Sequence, residues 1–338
     1  MVVTSNNPEA FTDVGVLYGT ARASAVRGGE RFPLSGDFGV YLHHLNATSG
    51  ARYVGVVVTN PGAVAVTVEA HGAGWSQDDT GGVGLGTSPD YRVSEAWLAD
   101  ARPVSVPPSS LAPLRPLALY TAALAHGHEV DARLAVHASG PVYVYVIASA
   151  TGSLDEAIQR SRTDAPGNID VPGTPPPPYG REAGVYSHDT WRATIPLLVP
   201  AAGHRVGFQL DTAAGTKGAV QDQAFAALTR YADSAPEAVG MYGDVFDVAF
   251  DLAHDGNDAS DRRVRLWAVS YAGGAGSRLW DGAASVDGVP AALRLTPAAP
   301  RQLLADVRLA DGAHRRLTFE AMVPGLASIP AALVLESY

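Results

Sequence analysis

The 338-residue chain contains no cysteine. Disulfides and thiolate metal sites are therefore excluded, and any metal must be held by nitrogen and oxygen ligands. Lysine is almost absent too. Lys217 is the only one, and arginine supplies the rest of 24 basic residues against 34 acidic ones, a formal net charge of −10. An acidic chain without grouped Lys and Arg argues against nucleic acid and against an anionic membrane surface as partners. No apolar run reaches the 18 or so residues of a transmembrane helix, so no transmembrane segment is expected. Charged residues make up 17%, less than in an ordinary globular domain, while hydrophobic residues at 46% suffice for real cores.

Glycine (36) and proline (24) are plentiful. They punctuate short apolar runs, the pattern of many short strands joined by tight turns. Phe38–Leu45 reads as a strand. Tyr53–Thr59 and Ala63–Ala70 read as a hairpin around Asn60-Pro61-Gly62, where Pro61 presets φ and Gly62 accepts a positive φ. Val130–Ala138 and Val142–Ser149 read as a second hairpin, turning at Ser139-Gly140-Pro141. Ser94 is placed as the N-cap of a short helix to about Ala101. Ser153-Leu154-Asp155-Glu156 is a capping box opening another to about Arg162.

Four consecutive prolines, Pro175–Pro178, permit no regular element. The expected organisation is mainly β: two antiparallel β-sandwich-like halves with a few short helices. The first half is residues 1–163, the Pro-rich linker or crossover 164–178, and the second half 179–338. The later strands are Arg181–Tyr186, Trp191–Leu198, Arg205–Leu210, Asp244–Ala253, Arg262–Tyr271 and four more to Leu335, at the spacing of sandwiches and barrels.

There is no G-x-S-x-G elbow and no H-E-x-x-H. Gly82–Thr87 lacks the last glycine and the strand–turn–helix frame of a dinucleotide fingerprint. His43 and His44 are adjacent on a strand and point to opposite faces, so they cannot share one ion; one is expected packed and one exposed. No catalytic residue is assigned, and an enzyme is the less favoured reading.

Two candidate sites remain. Asp255, Asn257, Asp258 and Asp261 offer hard oxygen ligands that suit calcium. A helical calcium loop counted from Asp255 would need glycine where Ser260 stands and glutamate where Leu266 stands, so only a non-standard site fits, and a solvated hairpin loop accounts for the same residues. Tyr186 and Trp191, with His188 between them, offer aromatic faces on which a sugar ring can stack; burial in a core accounts for them equally.

Several segments, in order along the chain, resemble an exported bacterial family, mainly cyanobacterial, known only as domain of unknown function 3370. They are Asn7-Pro8-Glu9 with Gly15–Tyr18, Phe38–His44, Tyr53–Gly62, Gly140–Val144, Tyr179–Val185, Trp191–Ala193, Arg230–Ala235 and Gly240–Gly243. The last departs from the family pattern, with Val239 and Met241 where His and Asn are expected. The resemblance implies export to the periplasm, cell envelope or medium, and the polar opening Met1–Pro8 then reads as a start left after a signal segment is removed. It implies no activity. Arg230, Tyr231 and Asp233 are its densest polar block, either holding a ligand or forming a buried Arg–Asp pair that fixes a connection.

The expected function is therefore a non-enzymatic cell-envelope or extracellular structural or interaction protein, with an envelope protein or a glycan as partner. A carbohydrate-binding protein, and after it a polysaccharide hydrolase, are the alternatives. An aromatic groove would favour glycan binding.

Overall fold

A computed structural model describes all residues except 22–27, 83, 85, 164–181, 212–223, 239, 255–260, 271–279, 326 and 328–330. The expected linker 164–178 lies outside the described residues. The chain is mainly β, as its patterning implies. Its first elements are β1 (Val2–Ser5), β2 (Ala10–Phe11), β3 (Gly15–Gly19), β4 (Leu34–Asn46), β5 (Arg52–Thr59) and β6 (Val66–Ser76). Then come α1 (Gln77–Thr80), α2 (Pro89–Leu98), β7 (Val104–Leu111), β8 (Pro116–Leu124), β9 (Glu129–Ser149), α3 (Leu154–Arg160) and β10 (Ala183–Tyr186). The rest are β11 (Thr190–Leu198), β12 (Arg205–Asp211), β13 (Ala227–Arg230), β14 (Val245–Ala253), β15 (Arg262–Ser270), β16 (Trp280–Val286), β17 (Val289–Leu295), β18 (Arg301–Leu309), β19 (His314–Met322) and β20 (Ala331–Ser337).

The centre of the first sandwich is β9. It is one continuous strand of 21 residues, so the hairpin expected at Ser139-Gly140-Pro141 does not form. Its first part pairs with β4 and β6, and its second part with β3 and β5. A strand that leaves one layer for the other makes the corner of a sandwich. Gly140 sits at this bend, where a Cβ would come 2.7 Å from Val66 Cγ1. β5 and β6 likewise pair with opposite parts of β9, and with β8 and β7, rather than with each other. Asn60-Pro61-Gly62 is thus a connection between layers, closed by the Asn60 amide on the Val64 and Leu111 carbonyls.

Alternation decides what each layer buries. Even positions of β4 and β9 (Phe38, Val40, Leu42; Val130, Ala132, Leu134, Val136) meet Val54, Val56 and Val58 of β5 in one core. Each such aliphatic side chain contributes roughly 1.5–3 kcal/mol on burial. The odd positions face the other way and build the polar site described below.

β10 and β13, downstream of the Pro-rich stretch, extend this first sheet through β1, in the order β13-β10-β1-β4-β9-β5-β8. The sheets therefore do not divide at residues 164–178. The second sandwich faces a sheet β11-β14-β19-β16-β17 against a sheet β12-β20-β15-β18. Its core holds Phe250, Leu266, Trp280, Phe319 and Leu333. Most pairs are antiparallel; β1–β4, β2–β4 and β11–β14 are parallel.

Helix α2 is wedged between the two sandwiches. Its N-cap is Ser88, with Pro89 at the first turn, and not Ser94 as the sequence suggests. Ser94 is buried mid-helix, its hydroxyl accepting from the Ala283 N–H of β16. Val93 and Ala96 pack with Ala73 of β6, Val245 of β14 and Met322 of β19. The turn before α2 is anchored by Asp281 of β16. That carboxylate accepts from the Gly86 N–H (3.0 Å), the Ser88 hydroxyl (3.2 Å) and Arg294 Nε (3.1 Å).

Candidate functional site

The odd positions of β4, β9 and β6 lie on one face of the first sheet, away from its core. Cross-strand register sets them in rows: Asp37, His137 and Glu69; then Gly39, Ala135 and His71; then Tyr41, Arg133 and Ala73; then His43, Asp131 and Trp75; and last Leu45 and Glu129. The upper rows open to solvent and the lower rows run under α2. One polar stripe thus passes from an exposed rim into the interior.

At its open end lies a cleft of about 430 Å³, lined by Asp37, Glu69, His71, Trp97, Arg133 and Asp189 among others. The His137 imidazole is held by Asp37 at 2.7 Å. Arg133, almost fully buried, forms the floor. Its guanidinium lies 4.9 Å from the centre of the Trp97 ring and is ion-paired to Asp189. Burial alone would raise the Asp189 carboxyl, but the Arg133 charge and hydrogen bond hold it below the usual carboxylate range. Gly39 makes room for this: a Cβ there would stand 2.3 Å from Arg133 Nη1.

Beneath α2 the stripe ends in a closed cluster. His43 and Asp131 are direct register partners, and Asp90 of α2 sets its carboxylate 3.1 Å from His43 Nδ1. Burial alone would lower the His43 pKa; Asp90, then Asp131 and Glu129, together outweigh it and raise it to about 10. Burial, then Asp90, raises Glu129 to about 7 and drives Asp131 well above its ordinary value. Burial and the Asp131 and Asp90 charges also raise Tyr41.

The residues singled out from the sequence lie elsewhere. Tyr186 and Tyr231 are buried. The Tyr186 hydroxyl donates to the Ala235 carbonyl, and Tyr231 packs edge-on against Tyr18 at 5.1 Å. Arg230 Nη1 donates to the carbonyls of Tyr231, Ala232 and Ser234, closing the 230–234 turn, while the Asp233 carbonyl accepts from the Asn7 amide. Trp191 stacks on Phe225 at 5.3 Å and lines a separate apolar cleft with Ile195, Phe208 and Phe246. These five are not gathered around one opening. Asp255, Asn257 and Asp258 lie outside the described residues, and the Asp261 carboxylate is ion-paired to Arg308.

His43 and His44 do point to opposite faces, but both are buried, which corrects the expectation of one exposed. His44 is bonded to Ser5 Oγ and to the Pro8 carbonyl. Sequence reasoning missed Asp90, Trp97, Asp131 and Arg133. The alternating polar residues of Glu129–His137 were a signal, but alternation marks only a face; that α2 covers it is a tertiary fact.

The chain matches the model of the family described as Protein of unknown function (DUF3370) over residues 1–80 and 126–270. It belongs to that family, as the quoted segments suggest. The match includes His43, Asp131 and Arg133 and omits 81–125, the stretch carrying α2. No curated protein matches the chain. Solved structures with some likeness include the pre-peptidase C-terminal domain of collagenase from Bacillus anthracis, at 6% identity and TM-score 0.20, covering 44% of this chain and 96% of that one. The tandem CBM22-1-CBM22-2 domain of Xyn10C from Paenibacillus barcinonensis has 11% identity and TM-score 0.15, covering 88% and 74%. Lac15 from a marine microbial metagenome has 9% identity and TM-score 0.14, covering 87% and 51%. Likenesses of this size carry no argument about function.

Proposed function

We propose that this member of the DUF3370 family is an exported, non-enzymatic binding module of the cell envelope or its surroundings, and that its ligand is a neutral glycan held in the cleft over β4, β6 and β9. The observation that carries this reading is the half-buried Trp97 ring standing beside the Arg133–Asp189 pair at the cleft wall. A ring face supplies the apolar platform that a sugar needs, and the fixed charged groups supply donors and acceptors for its hydroxyls. The volume falls within the roughly 300–1,000 Å³ of small-molecule sites.

The charge balance selects the class. Asp37, Glu69 and Asp189 bring three carboxylates, while the Arg133 guanidinium is already engaged by one of them. An anionic polysaccharide would meet net repulsion here; a neutral sugar meets acceptors. Glycan-array screening followed by tryptophan-fluorescence titration tests the reading. Neutral oligosaccharides are expected to bind and to perturb the fluorescence of the wild type and not of Trp97→Ala. An array on which no neutral glycan binds would overturn it.

A further inference from the structure

The closed end of the polar stripe carries chemistry that glycan binding does not use. His43, Asp90 and Asp131 each bring one ligand atom, and these atoms lie within 4.8 Å of one another. All three side chains are 2% exposed or less. Neither oxygen of Asp131 makes a hydrogen bond of good geometry, although the buried Tyr41 hydroxyl lies beside it. A third carboxylate, Glu129, is adjacent on the same face and 5% exposed, and its Oε1 also lacks a hydrogen-bond partner. Burying carboxylate oxygens without donors is strongly unfavourable unless a cation or a proton compensates.

The site is also sealed. The backbone of Gly325, between β19 and β20, presses on the cluster so closely that a Cβ would stand 2.3 Å from His43 Nδ1 and 2.6 Å from Asp90 Oδ1. Three elements therefore converge on the cluster: the β4–β9 ladder, α2, and a turn of the second sandwich. A group that bonds all the ligands at once would fasten α2 to the β4–β9 ladder, under the Gly325 turn.

We propose that His43, Asp90 and Asp131 bind a divalent first-row transition ion, zinc or manganese, as a structural rivet between the β4–β9 ladder and α2, with Glu129 a further carboxylate beside them. One imidazole with two or three carboxylates is a nitrogen-and-oxygen donor set that suits these ions. Calcium is disfavoured, because it takes six to eight oxygens and the cluster cannot supply them. The ion exchanges for protons: His43 must be neutral to ligate, and both aspartates must be ionised. This site is independent of the acidic loop at residues 255–261 and of the glycan reading.

The test uses the whole chain, stripped with EDTA, dialysed, and offered zinc or manganese. Metal analysis is expected to find one ion per chain, and the melting temperature is expected to rise with ion concentration. Asp131→Asn keeps the shape of the side chain and removes its charge. It is expected to bind the ion roughly a hundredfold more weakly while its metal-free form melts no lower than the metal-free wild type. Asp261→Asn, in the acidic loop, is expected to bind as the wild type does. No uptake by the stripped wild type at micromolar zinc or manganese would overturn the proposal. So would unchanged binding by Asp131→Asn, or loss of the ion in Asp261→Asn.

Discussion

Arg133 of β9 reaches across Gly39 to ion-pair with Asp189, which lies 56 residues further along the chain, immediately before β11. The guanidinium side chain is 2% exposed and the carboxylate 27%. Removing the carboxylate leaves a buried cation beside the Trp97 face, with its direct ion-pair partner gone. Asp189→Asn is expected to lower the unfolding free energy by about 2–4 kcal/mol, measured by urea titration at neutral pH. The pH dependence has a definite sign. Asp189 titrates below its ordinary value in the fold, so its contribution is complete above the usual carboxylate range and disappears as pH falls through the lowered value. Equal midpoints for variant and wild type at pH 7 would show that the pair is not structural.

A second carboxylate acts on a turn. Glu156 of α3 accepts from the Ser149 hydroxyl (2.7 Å), the Ala150 N–H (2.9 Å), and both the N–H (2.7 Å) and the hydroxyl (2.6 Å) of Thr151. The expected capping box is thus half present. Ser153 caps Glu156, but the Glu156 side chain closes the 149–151 turn. Burial would raise its pKa; these donors outweigh burial and hold it at about 2. The ionised form therefore stabilises the fold fully above pH ~4.5, and that contribution fades as pH falls towards 2. Glu156→Gln is expected to cost about 1–2 kcal/mol at pH 7, after screening of a partly solvated group, and much less at pH 2.5. A deficit that does not shrink on acidification would contradict this account.

Much of the strand order of events was legible, because alternation with Gly and Pro punctuation is a local signal. Pro61 and Gly62 do mark the end of β5, but Gly62 is not at the positive φ of the expected turn, and the strands on either side pair elsewhere, since pairing is decided by β9. Ser139-Gly140-Pro141 looked like a hairpin turn for the same reason; a bend in one long strand uses the same residues. The α2 start was misplaced because Ser94 and Ser88 are both acceptable caps, and only Pro89 separates them. The site was the least legible part. His43 and Asp131 are far apart in sequence and meet only through register, and Asp90 joins them only because α2 docks there. The aromatic pair Tyr186 and Trp191 drew attention by proximity, yet Tyr186 is buried in a small core and Trp191 packs at that core's edge, lining an apolar cleft away from the polar stripe.

The cleft reading makes a separable prediction about Trp97. If its ring is the sugar platform, Trp97→Ala is expected to weaken glycan binding about tenfold, while Trp97→Tyr keeps most of the affinity because a ring face remains. The ring also packs at the edge of the α2 cluster, so the alanine variant should melt somewhat lower. The split between the two variants distinguishes a contact with ligand from simple loosening of the helix. Equal loss in both would mean that the ring acts only in packing.

Asp281 offers a way to move that ring without touching it. Its buried carboxylate holds Gly86, Ser88 and Arg294, and through Ser88 it fixes the first turn of the helix that carries Trp97 at the far end. In Asp281→Ala the Gly86 N–H and the Ser88 hydroxyl lose an acceptor where little solvent can replace it. Arg294 is half exposed and still lies over the Tyr91 ring, so its own loss matters less. The expected cost is about 2–4 kcal/mol. Hydrogen exchange of the α2 amides should accelerate before that of β9, because the anchor is local. Arg294→Met leaves the Gly86 and Ser88 bonds in place but takes the cation from a buried carboxylate, and should cost about 1–2 kcal/mol, less than Asp281→Ala. If Asp281→Ala lowers stability without loosening α2 first, the carboxylate serves the second sandwich alone and does not position the cleft.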